Sequence, residues 1–168
     1  AKSVEKSVAA LQETGDKSLF NEVTKTDENG NKTTGYDTDA IYKAVKNFTD
    51  SYNSLIDEVG NSNTKSILRA GASMVNVTEA NRKSLSDIGI SIGADNKLTI
   101  DEEKFKKADM SKVKAMFADS SYYGTEVKRQ AGRAESYAKS AAAKANTYQK
   151  SGSYTYNYRT GELYNSTI

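Results

Sequence analysis

The chain has 168 residues, of which 24 are basic and 22 are acidic, and 36% of its residues are hydrophobic. This balanced charge excludes a strongly basic surface for nucleic acid or an anionic membrane, and the low hydrophobic content argues against one thick core. The sequence has no Cys and no His, which excludes disulfides, the usual zinc sites and catalytic triads. We therefore expect a protein that binds no nucleic acid, needs no cofactor and is not an enzyme.

The sequence also shows no signal for membrane insertion. No apolar run approaches the ~20 residues that a transmembrane helix needs. The first residues, Ala1 to Glu5, lack the apolar core of a signal peptide. We therefore expect no membrane span, and no recognisable signal peptide in this chain.

The N-terminal residues combine a short helix with a hairpin or an ordered loop. Val4, Val8 and Leu11 share one helical face, and Gly15 is predicted to end this helix. The segment from Glu22 to Tyr36 follows. It contains the dipeptide Asn-Gly, which is a strong signal for a tight hairpin turn.

The same turn allows an alternative, a calcium-binding loop. Asp27, Asn29 and Asn31 alternate as calcium ligands would. The glycine, however, precedes the third ligand instead of following it, and Thr38 stands where such a loop needs Glu. We therefore predict no metal site in this loop.

The next segment is predicted to be the strongest helix of the chain, over Asp39–Gly60. Asp37 or Thr38 caps its start, and its apolar residues recur as in the a and d positions of a heptad. We expect this seam to mediate helix packing or subunit association. Its residues are Ile41, Val45, Phe48, Tyr52, Leu55, Ile56 and Val59. A second helix, over Thr64–Ser86, is diluted by Gly71 and by polar residues.

A β-hairpin is predicted over residues 88–100, where apolar residues alternate with small or polar ones on both sides of a turn cluster. The apolar residues that form its expected core are Ile88, Ile90, Ile92, Leu98 and Ile100. Asp101 follows the second strand and is a good helix N-cap, because Glu102 and Glu103 then lie in the first turn. Two short helices, over Glu102–Ala108 and Ser111–Ala118, are expected next.

The C-terminal part changes from helix to a tyrosine-rich tail. A long helix is predicted over Ser121–Lys150, with a seam of small residues from Ala131 to Ala145 that suits close pairing with another helix. In the tail, Tyr154, Tyr156 and Tyr158 alternate with polar residues, so one face of a strand would carry all three. This ladder either binds a partner or a sugar, or packs on the first helix or the first hairpin.

Together these patterns predict a mainly α fold, an elongated antiparallel helical bundle or coiled coil with one or two short β-hairpins. We expect three parts in the chain. They are the helix and hairpin or loop of residues 1–36, the coiled-coil body of residues 37–150, and the strand or tail of residues 151–168.

Three strings of residues resemble the C-terminal part of the bacterial flagellar filament cap family, also called hook-associated protein 2. The first is the hairpin with the helix start that follows it, Ser86–Phe105, and the others are Asn47–Ile56 and Val113–Phe117. A long heptad helix then follows, as it does in the family. The resemblance covers roughly residues 40–150 and does not extend into the tyrosine-rich tail.

The resemblance implies a structural protein that works by association with other flagellar subunits or with its own copies. Family members cap the growing filament outside the cell and are exported without a cleaved signal. The family's N-terminal coiled-coil segment and head domains have no counterpart here, so we expect a fragment or a small stand-alone relative that is a monomer or a weak oligomer in isolation. The alternative is a secreted adhesive or glycan-binding module that uses the tail.

Overall fold

The computed structural model describes residues 1–26, 28–118 and 121–145, and it confirms a mainly α fold with short β-hairpins. These residues form seven α-helices and two antiparallel two-stranded sheets. In chain order the elements are α1 (Lys2–Leu11), β1 (Glu22–Thr26), β2 (Lys32–Tyr36), α2 (Thr38–Gly60), α3 (Lys65–Ala80), α4 (Arg82–Asp87), β3 (Ile90–Ile92), β4 (Leu98–Ile100), α5 (Glu102–Lys107), α6 (Met110–Phe117) and α7 (Tyr122–Ala145).

The four longer helices pack as an antiparallel bundle. α3 lies between α2 and α7 on one side, and α1 contacts the same two helices on the other. Gln12 Nε2, just past the end of α1, donates to Thr125 Oγ1 near the start of α7 at 3.0 Å. At the opposite end of α1, Lys2 Nζ lies 3.9 Å from Glu135. α1 and α7 are therefore antiparallel, which adds the first helix to the bundle predicted for residues 37–150.

The apolar seam of α2 lies inside this bundle. Six of its seven residues are buried, and the seventh, Ile56, is half-buried. Phe48 lies at the centre of an aromatic cluster, with ring centroids 5.2 Å from Phe117 and 6.1 Å from Tyr123, both edge to face. Edge-to-face pairs add to the stabilisation that burial alone gives. The seam therefore supplies the core of the molecule.

Two helix ends differ from the sequence-based predictions. α1 ends at Leu11, before the predicted stop at Gly15, which instead takes a φ of 65° and begins a short 3₁₀ turn. The helix predicted over Thr64–Ser86 is two helices, because α3 ends at Ala80 and α4 begins at Arg82. At the break, Asn81 Nδ2 donates to the carbonyl oxygen of Val77 at 2.8 Å and occupies one of the last free carbonyls of α3.

The alanine seam of α7 is buried over only part of its predicted length. Ala131 and Ala134 are buried, whereas Ala138 is exposed. α1 begins at Lys2, which lies beside Glu135, so the antiparallel α7 continues past the N-terminal end of α1. The prediction of close pairing along the whole seam is therefore wrong at Ala138. Residues 146–150 of the predicted helix lie outside the described residues.

The first hairpin has the predicted extent. Glu22 pairs with Tyr36 and Thr26 pairs with Lys32, so residues 27–31 connect the strands. This five-residue connection is longer than a two-residue Asn-Gly turn, and within it Gly30 takes a φ of 81°.

None of the helices in the described ranges has both the length and the hydrophobicity that crossing a bilayer requires. The part boundaries at residues 36 and 150 stay predictions, although α1 shares the bundle core.

Truncation of the α2 seam should destabilise the fold. Because Phe48 and Leu55 are buried, we expect Phe48→Ala and Leu55→Ala each to lower the free energy of unfolding by about 2–5 kcal/mol in urea titrations. Tyr122→Ala is the control, since this ring is 71% exposed, and it should change the value by less than about 0.5 kcal/mol. Seam variants that unfold like the parent would contradict an internal seam.

Gly71 permits the close approach of α3 to α2. A Cβ atom at this position would overlap Cγ1 of Val59, a β-branched side chain with little freedom to move away. We expect Gly71→Ala to destabilise by about 1–3 kcal/mol through overpacking, despite the better helix propensity of Ala. The matched control is Gly132→Ala in α7, where only the flexible Glu5 carboxylate is near, and it should stabilise by about 0.4–1 kcal/mol. Equal effects in thermal melts would contradict this packing.

Candidate functional site

The second hairpin is attached to α2 by a side chain that imitates a neighbouring strand. Asn53 Nδ2 donates to the carbonyl oxygen of Leu98 at 2.8 Å, and Asn53 Oδ1 accepts from the Leu98 N–H at 2.7 Å. One helical turn later, Asp57 Oδ1 lies 2.8 Å from Lys97 Nζ and raises the pKa of that ammonium. α2 thereby covers the free edge of β4 at Leu98, because the N–H and the carbonyl of that residue both have partners.

The predicted hairpin core is largely buried, with one difference in secondary structure. Ile90, Ile92 and Leu98 are buried on the strands, and Ile100 is half-buried. Ile88 is fully buried but lies at the end of α4 instead of on a strand. The reason is the residue that follows it, Gly89, whose positive φ turns the chain out of the helix and into β3.

Gly89 allows the strand-to-helix junction to close tightly. It takes a φ of 81°, its carbonyl accepts from the Asp101 N–H at 2.9 Å, and a Cβ here would lie 2.9 Å from the Phe105 nitrogen. Both the backbone conformation and the space therefore favour glycine. Asp101 is the predicted N-cap, and its Oδ1 accepts from the Lys104 N–H at 3.0 Å.

The start of α2 is held by a second capping carboxylate and by a bridge to α5. Asp37 Oδ1 accepts from the Ala40 N–H. This hydrogen bond, together with the nearby Lys25 ammonium, holds the pKa of the Asp37 carboxyl below its usual range. Lys106 Nζ lies 2.7 Å from Asp39 Oδ1 and 2.6 Å from Glu102 Oε1, and both carboxylates raise the pKa of the Lys106 ammonium. These groups are solvent-accessible, so their contribution to stability is small.

The predicted site residues of α2 and of the second hairpin thus pack together in one core. Two concave surfaces lie on the outside of the bundle. One groove of about 430 Å³ lies where the ends of α1, α2 and α3 meet α7, and Val59, Ile67 and Ala138 are among its lining residues. A second depression of about 540 Å³ lies between α1 and α7. Nowhere in the described ranges do three acidic side chains gather as a metal site would require.

Some of the predicted residues lie outside the described residues. Tyr154, Tyr156 and Tyr158, which form the candidate partner surface, are among them. So is Asp27, the first ligand of the alternative calcium loop. The structure therefore places neither of these candidates.

Sequence reasoning missed two residues that position this site. Asn53 lies inside the string Asn47–Ile56, which the sequence marks only through its resemblance to a family, and the sequence pattern treats Gly71 as dilution of a helix. The sequence does contain a signal for Asn53, because asparagine has a low helix propensity and its presence in the middle of a helix indicates that its side chain makes a specific hydrogen bond. Its partner Leu98 is 45 residues away, which no local pattern indicates.

Comparison with known families gives one match over most of the chain. The family model described as flagellar hook-associated protein 2 C-terminus matches residues 61–167. Neither the curated proteins nor the solved structures yield a match. The matched range begins after α2, so the string Asn47–Ile56 lies outside it, and it continues into the tail. The expectation that the resemblance stops before the tail is therefore wrong.

Loss of the Asn53 side chain should loosen the second hairpin. Asn53→Ala leaves the N–H and the carbonyl of Leu98 without their partners, so we expect the free energy of unfolding to fall by about 1–3 kcal/mol. Asn47→Ala is the matched control, because it is the same substitution at an exposed position of the same helix. The control should be neutral or slightly stabilising. Equal unfolding midpoints for both variants would show that the two Asn53 bonds contribute nothing.

Proposed function

Since the chain belongs to the flagellar hook-associated protein 2 C-terminus family, whose members are structural proteins of the flagellum, we propose that it acts by binding other protein subunits of the flagellum. The observation that carries this proposal is the family match over residues 61–167. We further propose that it works at the extracellular filament, as a cap-type helical leg, and that in isolation it is a monomer or a weak oligomer. Its role is structural and not catalytic.

The distribution of buried residues supports an associating role for the outer surface of the bundle. The seam residues of α2 are part of the buried core, so they are not free to bind a partner helix. Large hydrophobic side chains are exposed at only three positions in the described ranges, namely Val23, Leu68 and Tyr122. A body with so little exposed apolar surface offers no large hydrophobic interface, so polar contacts must contribute to the binding of a partner.

The tyrosine-rich tail is the candidate for the apolar part of the interface. It lies within the range that matches the family, so it belongs to the region that the family shares. Tyr154, Tyr156 and Tyr158 could each bring a large ring with a polar tip to a partner. Tyrosine is among the residue types that most often dominate binding energy at protein interfaces.

Replacing the three tail tyrosines should impair binding more than folding. We expect the triple variant Tyr154→Ser, Tyr156→Ser, Tyr158→Ser to bind immobilised flagellar subunits from the same organism about tenfold more weakly or worse. The helical circular dichroism signal should stay that of the parent. Tyr122→Ser is the control, because it removes an exposed tyrosine from the described body and should leave binding unchanged.

Two results would contradict this proposal. Loss of the helical signal in the triple variant would show that the tyrosines are part of the core. Unchanged binding would show that the partner surface lies elsewhere. A glycan array in which the parent binds sugars through the tail, with no binding to flagellar subunits, would favour the adhesive alternative.

A further inference from the structure

The tip of the first hairpin, which β1 and β2 form, contains two residues that can react with each other. Asn29 is followed by Gly30, and none of the other asparagines in the sequence precedes a glycine. Asparagine is a thermally labile residue type, because the backbone nitrogen of the next residue can attack its side-chain carbonyl carbon and close a cyclic imide. Glycine has no Cβ to hinder that attack and adopts a wider range of backbone conformations than other residues. The sequence therefore singles out Asn29 as the most reactive asparagine of the chain.

The structure leaves these two residues room to react. They lie between Thr26 and Lys32, the last residues that pair across the hairpin, so they take no part in the strand ladder. Both are exposed, and Gly30 takes a φ of 81°. Among the residues that the structure describes, none beyond the chain neighbours of Gly30 comes within 4 Å of the position that a Cβ would occupy there. Exposed connections of this kind open at almost no cost in free energy, so the Gly30 nitrogen can reach the Asn29 side chain without disturbing the sheet.

Other asparagines are in positions that hinder the same reaction. Asn53 lies in α2, and its side chain bonds the backbone of Leu98. The nitrogen that would attack it belongs to the next residue of α2, where the helical backbone and its hydrogen bonds hold that nitrogen in place. Asn31 is exposed in the same connection as Asn29, but its successor Lys32 has a Cβ and is paired in β2. Both asparagines therefore serve as internal comparisons for Asn29.

We propose that Asn29 is a site of spontaneous deamidation. The Gly30 nitrogen attacks Cγ of Asn29 and forms a C–N bond, while the Cγ–Nδ2 bond breaks. The amide nitrogen leaves as ammonia, which carries the proton that the Gly30 N–H has lost. Water then opens the resulting succinimide at either of its two carbonyl carbons. Opening at Cγ gives aspartate, and opening at the main-chain carbonyl gives isoaspartate, in which the chain runs through the former side chain.

The modification adds a carboxylate beside Glu28 at the hairpin tip. It lowers the formal net charge of the chain, which is +2 before the reaction, by one unit, because an ordinary aspartate has a pKa of about 3.9 and is ionised at neutral pH. All five residues of β1 and the first three of β2 are exposed, so the bundle core loses no contact. The reaction changes the projecting hairpin and leaves the helical body as it is. It needs no flagellar partner, so its failure would leave the proposed function untouched.

Incubation of the full chain for several weeks at neutral pH, followed by peptide mapping with mass spectrometry, tests the proposal. Cleavage after lysine releases residues 26–32, which hold Asn29 and Asn31 in one peptide. We expect a mass gain of about 1 Da at Asn29, as both aspartate and isoaspartate, at least about tenfold faster than at Asn31 or Asn53. The rate should lie within about threefold of that in a free peptide of residues 22–36, because the connection is exposed. The modified chain should melt at the same temperature as the unmodified chain.

Two variants test whether the glycine and the asparagine are both required. Gly30→Ala should slow the mass gain at least about tenfold, since Ala brings a Cβ next to the attacking nitrogen and fits the positive φ poorly. Asn29→Gln should react more slowly than the parent as well, because its longer side chain has to close a larger ring. Three outcomes would overturn the proposal. They are an Asn29 that stays unmodified while the free peptide reacts, equal rates at Asn29 and Asn31, and a Gly30→Ala variant that reacts like the parent.

Discussion

The fold depends on burial of α2 from several sides at once. α1 and α3 pack along this helix, α5 contacts it near its start, and β4 contacts its second half at Asn53. Different chemistry serves each contact. Apolar seam residues face the bundle, Gly71 removes the side chain that would hold α3 away, and Asn53 hydrogen-bonds the backbone of β4. A helix that is used in this way stabilises the whole molecule, because each neighbour buries its own apolar face against it.

The two hairpins illustrate what this arrangement leaves for binding. The hairpin of β3 and β4 is closed on α2, with its edge bonded to Asn53 and its isoleucines in the core. The hairpin of β1 and β2 projects into solvent, and its exposed strands carry mostly threonine and lysine. Lysine on an open strand edge discourages uncontrolled pairing with other strands. The projecting hairpin therefore favours specific polar contacts over general aggregation.

Local patterns predicted most of the elements, and most of the differences come from long-range contacts. The heptad spacing of α2, the alternation around Ile90 and Leu98, and the caps at Asp37 and Asp101 are all encoded within a few residues, so they could be predicted. The break at Asn81 depends on a side chain that bonds its own helix, which competes with helical continuation. The end of the buried alanine seam beyond Ala134 depends on where α1 begins, and the pairing of Asn53 with Leu98 depends on the folded structure. No spacing within the sequence contains that information.

Hydrogen exchange measured by mass spectrometry tests most directly whether α2 is an internal axis and the outer surface the place of association. The full chain would be compared at low concentration and under conditions where it is assembled with its own copies or with flagellar subunits. The account predicts slow exchange of α2 amides in both states, with protection gained on assembly at the outer surface of the bundle or in residues 153–168. Fast exchange of α2 in the isolated chain, with protection gained there only on assembly, would contradict it.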